Sequence, residues 1–355
     1  MATIKDVARE AGVSVATVSR VFNDSELVSA DTRRAVREVA ARLNYWPHGV
    51  ARSLITSRTN AVGVLLPDIY GEFFSEIIRG IDQAARRSGL HLLVSSSHAN
   101  TEELVAAMRS MRGRIDGLIV MAPDIERPVA TEVCAGHFPV VLLDPGFEAE
   151  GCDTIAIANH DGALAMVRHL LHLGHRRIAT VTGPERNIDA RQRLAGYRAA
   201  LREAGAEIST ELEMAGDFTE TSGYEAVERL LRLAPRPTAV FVGNDYMAIG
   251  VLGALSDAGL RVPEQMAVTG FDDIAMARYL NPSLTTVQVD MLQLGERAVG
   301  RLLGIQREPD GARRHEVLPT TLVVRSSCGA GALQPADARI PLRRGRPEVP
   351  LPEVS

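Results

Sequence analysis

The chain has one lysine, Lys5, in 355 residues. A Gly-Lys-Ser/Thr phosphate loop is therefore excluded, as is lysine-based catalysis anywhere beyond that position. Gly-x-Gly-x-x-Gly, Gly-x-Ser-x-Gly, His-Glu-x-x-His and Cys-x-x-Cys are missing too, which argues against an enzyme of those classes. No apolar run reaches the ~18 residues that span a bilayer. The opening Met-Ala-Thr-Ile-Lys-Asp lacks an apolar signal segment. Cysteine is scarce: Cys134, Cys152 and Cys328 are odd in number and far apart. That spacing predicts three reduced thiols in a cytoplasmic protein. His169, His172 and His175 are the nearest thing to a metal cluster. The first two share a helix face, but the third lies past Gly174 in a turn, so a solvated helix end is the simpler reading. The expectation is no cofactor and no metal.

What is there begins with charge. Residues 1–60 carry nine basic and six acidic residues, a balance of +3, against −8 for the remainder. A basic N-terminal unit suits phosphates, whereas the acidic body does not. Thr3 to Phe22 reads as two short helices around a glycine turn. Ala8 lets the helices approach, Gly12 supplies a positive φ, and Val18 faces inward. This is the pattern of a DNA-reading helix-turn-helix. Thr3 with Asp6 is a capping-box-like start. Ser14 caps the second helix and Ser29 a third, from Ala30 to Leu43. Pro47 to Thr56 reads as a nascent helix, marginal in isolation, and Thr56 to Asn60 as a linker.

From Ala61 onward, apolar runs alternate with helical stretches. The runs are Ala61–Leu66, Leu90–Ser95, Asp116–Met121, Val140–Leu143, Ile178–Thr182, Ala239–Val242 and Ala267–Gly270. The helical stretches are Phe73–Ser88, Glu102–Met111, Ala163–Leu173, Gln192–Glu203, Ser222–Leu233 and Tyr246–Ala258. Such alternation implies parallel sheets covered on both faces. The length implies two lobes, with a ligand cleft between them at the strand ends. After Cys328 the Gly-, Pro- and Arg-rich tail shows no heptads and is expected to be disordered.

The chain resembles the lactose/galactose repressor family of bacterial transcription regulators over residues 2 to 327. The resemblance rests on Thr3–Arg20, Leu43-Asn-Tyr-Trp-Pro, Val50-Ala-Arg-Ser-Leu, Phe73-Phe-Ser-Glu-Ile, Leu173-Gly-His, Gly183-Pro, Arg193-Leu-Ala-Gly-Tyr, Pro237-Thr-Ala-Val, Asn244-Asp-Tyr-Met-Ala, Gly270-Phe-Asp-Asp and Leu284-Thr-Thr-Val. It implies an all-α helix-turn-helix head (1–46) and a hinge helix and linker (47–60). An α/β core (61–328) of two doubly wound parallel-sheet lobes of periplasmic-binding-protein type follows. Lobe 1 takes about 61–158 and 288–328, lobe 2 about 159–287, and 329–355 form the tail. It further implies a homodimer on a pseudo-palindromic double-stranded DNA operator, a small-molecule effector, and no membrane partner. Repression is the family's commoner mode; an activator is the alternative in sign.

Five residues of the second helix are the DNA-reading candidates: Val15, Ala16, Thr17, Ser19 and Arg20. Val15, Ala16 and Ser19 share a face, and its apolar end suits a thymine methyl. Arg20 suits guanine, a pairing worth ~1–3 kcal/mol against the wrong base. Thr17 equally suits a phosphate. In the resembling family the residues matching Val15, Ala16 and Arg20 set operator choice, and the leucine matching Leu54 wedges into the minor groove. Such a wedge unstacks a base step and bends the duplex. Arg52 is a further groove or phosphate candidate.

A sugar pocket needs forked polar groups and an apolar face. The resemblance places Arg191, Asn244 and Asp272 on sugar hydroxyls, Asp144 on another polar position, and Phe218 on an aromatic wall. Phe73 and Phe74 open the first lobe's first helix, and Met291 stands where relatives carry an aromatic residue. Arg193 reads as a scaffold ion-pair residue. Phe73 or Phe74 equally suits the core, Asp273 competes with Asp272, and Asp144 also fits a turn. Ala158-Asn159 departs from the family's Asp-Asn. Asn187–Arg191 favours a sugar or sugar derivative; a purine-responsive, co-repressed regulator is the alternative.

Overall fold

The computed structural model describes residues 2–22, 27–46, 58–135, 138–308, 311–330 and 338–341. They form two compact units, one of Met1–Asn60 with Gly113–Asp116 and one of Ala61–Arg112 with Gly117–Ser355.

The first unit holds α1 (Ile4–Glu10), α2 (Val15–Phe22) and α3 (Ala30–Arg42). Polar residues fix each start. The Asp6 carboxylate accepts from the Thr3 amide at 2.9 Å and its hydroxyl at 2.7 Å. Ser14 Oγ accepts from the Thr17 amide at 3.0 Å, and Ser29 Oγ from the Thr32 amide at 3.3 Å. Each satisfies a helix-end donor that lacks a backbone partner. Gly12 turns the chain at φ +66°. Val7, Ala8, Val18, Val21, Val36, Val39 and Ala40 form the core. The hinge candidates Arg52 and Leu54 lie outside the described residues.

The second unit contains two parallel sheets. Its strands are β1 (Ala61–Leu66), β2 (His91–Ser96), β3 (Gly117–Met121), β4 (Val140–Leu143), β5 (Asp153–Ile157), β6 (Ile178–Val181), β7 (Glu213–Met214), β8 (Ala239–Val242), β9 (Ala267–Thr269), β10 (Thr286–Gln288), β11 (His315–Leu318), β12 (Thr321–Val324) and β13 (Ala338–Pro341). Its helices are α4 (Glu72–Arg87), α5 (Thr101–Met111), α6 (Arg127–Cys134), α7 (Asn159–His172), α8 (Ile188–Glu203), α9 (Glu220–Arg232), α10 (Asp245–Asp257) and α11 (Met291–Arg307). One sheet runs β11-β5-β4-β3-β1-β2 and the other β7-β6-β8-β9. Every pair within them is parallel. Strands β3, β4, β6 and β8 are buried along their whole length. Continuous apolar runs form such strands because helices cover both faces.

The chain passes from lobe to lobe three times, after β5, after β10 and after β11. Helices pair tightly at glycines. A Cβ on Gly80 of α4 would strike the Leu292 carbonyl of α11, and one on Gly295 of α11 would strike the Ile77 carbonyl of α4. Gly250 of α10 and Gly223 of α9 meet the Glu220 and Met247 carbonyls in the same way, and Gly196 of α8 meets His160 of α7.

Three expectations need correction. Cys134 and Cys152 are disulfide-bonded, with Cα atoms 5.4 Å apart; Cys328 alone is free and buried. Their separation of 18 residues in sequence is closed because the end of α6 packs beside the entry to β5. In the tail expected to be disordered, β13 pairs antiparallel with β12. The open edge of β12 offers unpaired backbone groups that recruit it. Of residues 288–328, only β11 joins the first lobe's sheet. β12 pairs with β10 in a separate antiparallel sheet instead.

Candidate functional site

A cavity of about 400 Å³ opens between the two lobes of the second unit. It lies beyond the carboxyl ends of β1, β2 and β3 on one side and of β6, β7, β8 and β9 on the other. Ligands of open parallel sheets bind at these ends, where strand order reverses and side chains converge. Backbone strain concentrates there. His98, Ala99, Phe218 and Asp272 all line the cavity and all have positive φ. For a bulky Phe218 at φ 73° this is costly and persists only where the surroundings enforce it. Its ring fills the space that a side chain at Gly183 would take.

Five of the sequence candidates meet at this cavity: Phe73, Phe74, Phe218, Asn244 and Asp272. Phe73 and Phe74 stand edge-to-face at 5.3 Å and also pack on the core, so the wall and core readings coexist. Asn244 starts α10: its Oδ1 accepts from the Met247 amide at 2.9 Å and its Nδ2 donates to the Phe218 carbonyl at 3.0 Å. Asp273 is tied elsewhere, to Arg325 at 2.7 Å and Gln288 at 2.9 Å. That leaves Asp272 as the cavity residue of the pair.

Three candidates are not among the lining residues. Arg191 is exposed and donates to the Glu185 and Arg186 carbonyls at 3.3 and 2.8 Å. Arg193, two positions on, lines the cavity instead, because two helical steps turn a side chain about 200°. Asp144 is wholly buried and accepts from the Ile157 amide and Asn159 Nδ2, both at 3.2 Å. Met291 is buried in the core at the start of α11.

Arg193 organises the polar wall. Its Nε donates to Asn159 Oδ1 at 2.8 Å and its Nη1 to the Gly243 carbonyl at 2.6 Å. Nη2 lies 3.1 Å from Asp272 Oδ1, without hydrogen-bond alignment. The guanidinium covers the Phe271 ring at 3.8 Å. Burial pushes the Asp272 carboxyl up to about 7, with Arg193 pulling it down and Asp189 pushing it further. Asp144 and Asp189 are both held above the carboxylate range by burial, and the charge of Asp144 raises Asp189 further. Both accept from Asn159, so departure from the Asp-Asn pattern leaves Asn159 engaged. The lobes also touch at the rim: the Glu72 amide donates to Tyr246 Oη at 2.7 Å, and the Met276 amide to Glu72 Oε2 at 3.3 Å.

Sequence reasoning missed Asp124, Asn187, Asp189, Tyr70 and Tyr246, which also line the cavity. Their signal was positional: each follows a strand end or opens a helix.

On α2, Val18 and Val21 are buried, while Val15, Ala16 and Arg20 are exposed and Thr17 and Ser19 half-buried. The described helices include none long and apolar enough to cross a membrane.

A profile described as "Bacterial regulatory proteins, lacI family" matches residues 3–48, and one described as "Periplasmic binding protein-like domain" matches 167–328. The chain is 38% identical over 332 residues to the HTH-type transcriptional repressor PurR of Erwinia tasmaniensis. That match covers 92% of this chain and 97% of the relative. A lac repressor dimer bound to operator and the anti-inducer ONPF is similar in structure, with a TM-score of 0.82 at 33% identity. It covers 92% of this chain and 99% of that one. The complex of the transcriptional regulator CelR with cellobiose gives a TM-score of 0.70 at 31% identity, covering 92% and 100%.

Proposed function

The chain belongs to the LacI family of bacterial regulatory proteins, and from that premise we propose that it is a DNA-binding transcriptional repressor governed by a small sugar. The protein acts as a homodimer on a pseudo-palindromic operator in the cytoplasm. Val15, Ala16, Thr17, Ser19 and Arg20 read or position the major groove, and Arg52 and Leu54 serve the minor groove. The sugar sits in the inter-lobe cleft and shifts the population of a conformation that binds DNA better or worse. The protein has no enzymatic role, in keeping with relatives that are transcriptional regulators.

One observation carries the reading: a single chain joins a helix-turn-helix with an exposed Val15-Ala16-Arg20 surface to a strand-end cleft walled by aromatic and carboxylate side chains. Aromatic faces suit the C–H side of a sugar ring and carboxylates its hydroxyls. A purine effector is the second reading, favoured by the identity to a repressor named PurR.

The test is fluorescence anisotropy of the full chain on operator DNA selected from random sequence. Arg20→Ala should relax preference at one base by about 1–3 kcal/mol, and binding should weaken steeply with salt. Equal affinity for selected and random duplex would end the proposal.

A further inference from the structure

We propose that Asp124, beyond β3 in the first lobe, binds the effector together with Asp272 in the second, and that the pair restricts the cleft to uncharged or cationic ligands rich in O–H or N–H donors. This rests on the cleft being the effector site.

Most polar groups of the cavity are satisfied by the protein itself. Asn187 Oδ1 accepts from the Ala190 amide at 3.1 Å. Asp217 Oδ1 accepts from the Thr219 amide and hydroxyl at 2.9 and 2.6 Å. Asp189 accepts from Asn159, and Asn244 is engaged at both ends. On opposite walls, Asp124 Oδ1 is buried without a hydrogen-bond partner, and Asp272 Oδ1 has an ion-pair contact with Arg193 Nη2 at 3.1 Å but no aligned hydrogen bond. Asp272 is 4% exposed. Buried acceptors without donors are costly and rare in folded proteins. In the ionised form both only accept, so what completes them in that form is a ligand that donates.

Charge narrows the class further. Asp68, Asp124, Asp189, Asp217, Glu220 and Asp272 face the cavity, against Arg193 and His98. Arg193 is already spent on Asn159, the Gly243 carbonyl and Asp272. Burial pushes the Asp124 carboxyl above its ordinary value, with Arg191 and Arg186 pulling it only partway back, and neither arginine lines the cavity. A phosphate or carboxylate entering here would meet mostly acidic side chains and, among the described lining residues, no uncommitted guanidinium. A polyol or an amine meets an open acceptor at Asp124 and a second at Asp272 that Arg193 contacts without an aligned hydrogen bond.

The experiment is calorimetry on the full chain with matched probes: glucose, glucosamine and glucose 6-phosphate; ribose and ribose 5-phosphate; cellobiose; hypoxanthine and inosine monophosphate. A neutral or amine-bearing probe should bind, and its phosphorylated counterpart at least a hundredfold more weakly. Asp124→Ala should weaken the binding probe tenfold or more, Asp124→Asn less, with ligand-free thermal midpoints retained. Phosphorylated probes that bind as well as their neutral counterparts overturn the proposal. So does unchanged affinity in Asp124→Ala when Phe218→Ala abolishes binding, and in that case the cleft reading stands. Affinity indifferent to both variants, or no binding by any probe, overturns the cleft reading itself.

Discussion

The two walls of the cleft are built from different chemistry. The first lobe offers Pro67, Phe73, Phe74, Met121 and Pro123, with carboxylates at Asp68 and Asp124. The second offers the rings of Phe218 and Tyr246 beside a larger polar set, Asn187, Asp189, Arg193, Asn244 and Asp272, knitted by buried hydrogen bonds. An apolar wall supplies contact area and tolerates small shifts of a ligand. A polar wall fixes orientation, since hydrogen bonds weaken steeply with angle. The polar wall is also part of the folded core, so damage to it should cost stability and recognition together. Damage to the apolar wall should fall mainly on recognition.

The sharpest way to break this contrast is Arg193→Leu. It leaves Asp272, Asn159 Oδ1 and the Gly243 carbonyl without their cation, all in buried surroundings. Removing one partner of such a network costs about 3–5 kcal/mol. The thermal midpoint should fall clearly and effector response should vanish. A variant as stable as the parent would show that the polar wall is not structural. Next is Phe73→Ala, which removes apolar surface worth up to about 3 kcal/mol. Effector affinity should fall ten- to hundredfold by calorimetry, with a smaller loss of midpoint than Arg193→Leu gives. The reverse ranking would undo the contrast.

The smallest effect is with pH. The Asp272 carboxyl sits at about 7 in the folded chain, above its ordinary 3.8. Between those values the unfolded chain holds fewer protons on this group, so its contribution to stability declines as pH rises through that window. Donors on an effector favour the ionised carboxylate. Affinity should therefore rise, by at most about tenfold between pH 6 and 8 for one group. A flat profile would remove the charge of Asp272 from recognition.

The head was legible in sequence because its signals are local. Ser14, Ser29, Gly12 and the Val18–Val21 spacing act within a turn or two of helix. The β1, β4 and β8 runs were equally plain, being apolar without interruption. The cleft was less so. It gathers residues from seven strand ends, and whether Arg191 or Arg193 turns inward depends on where α8 begins. β5 and β12 escaped notice because polar or threonine-bearing segments owe their pairing to neighbours distant in sequence. The Cys134–Cys152 bond escaped for the same reason.

The glycine contacts between helices carry a consequence for motion. Where backbone lies against backbone, α4 cannot slide on α11, nor α9 on α10, without collision. Each half of the sensor is thus a stiff jaw, poorly able to absorb a ligand's pull by internal repacking. Displacement of one lobe against the other would then fall to the three short connections at residues 158, 289–290 and 319–320.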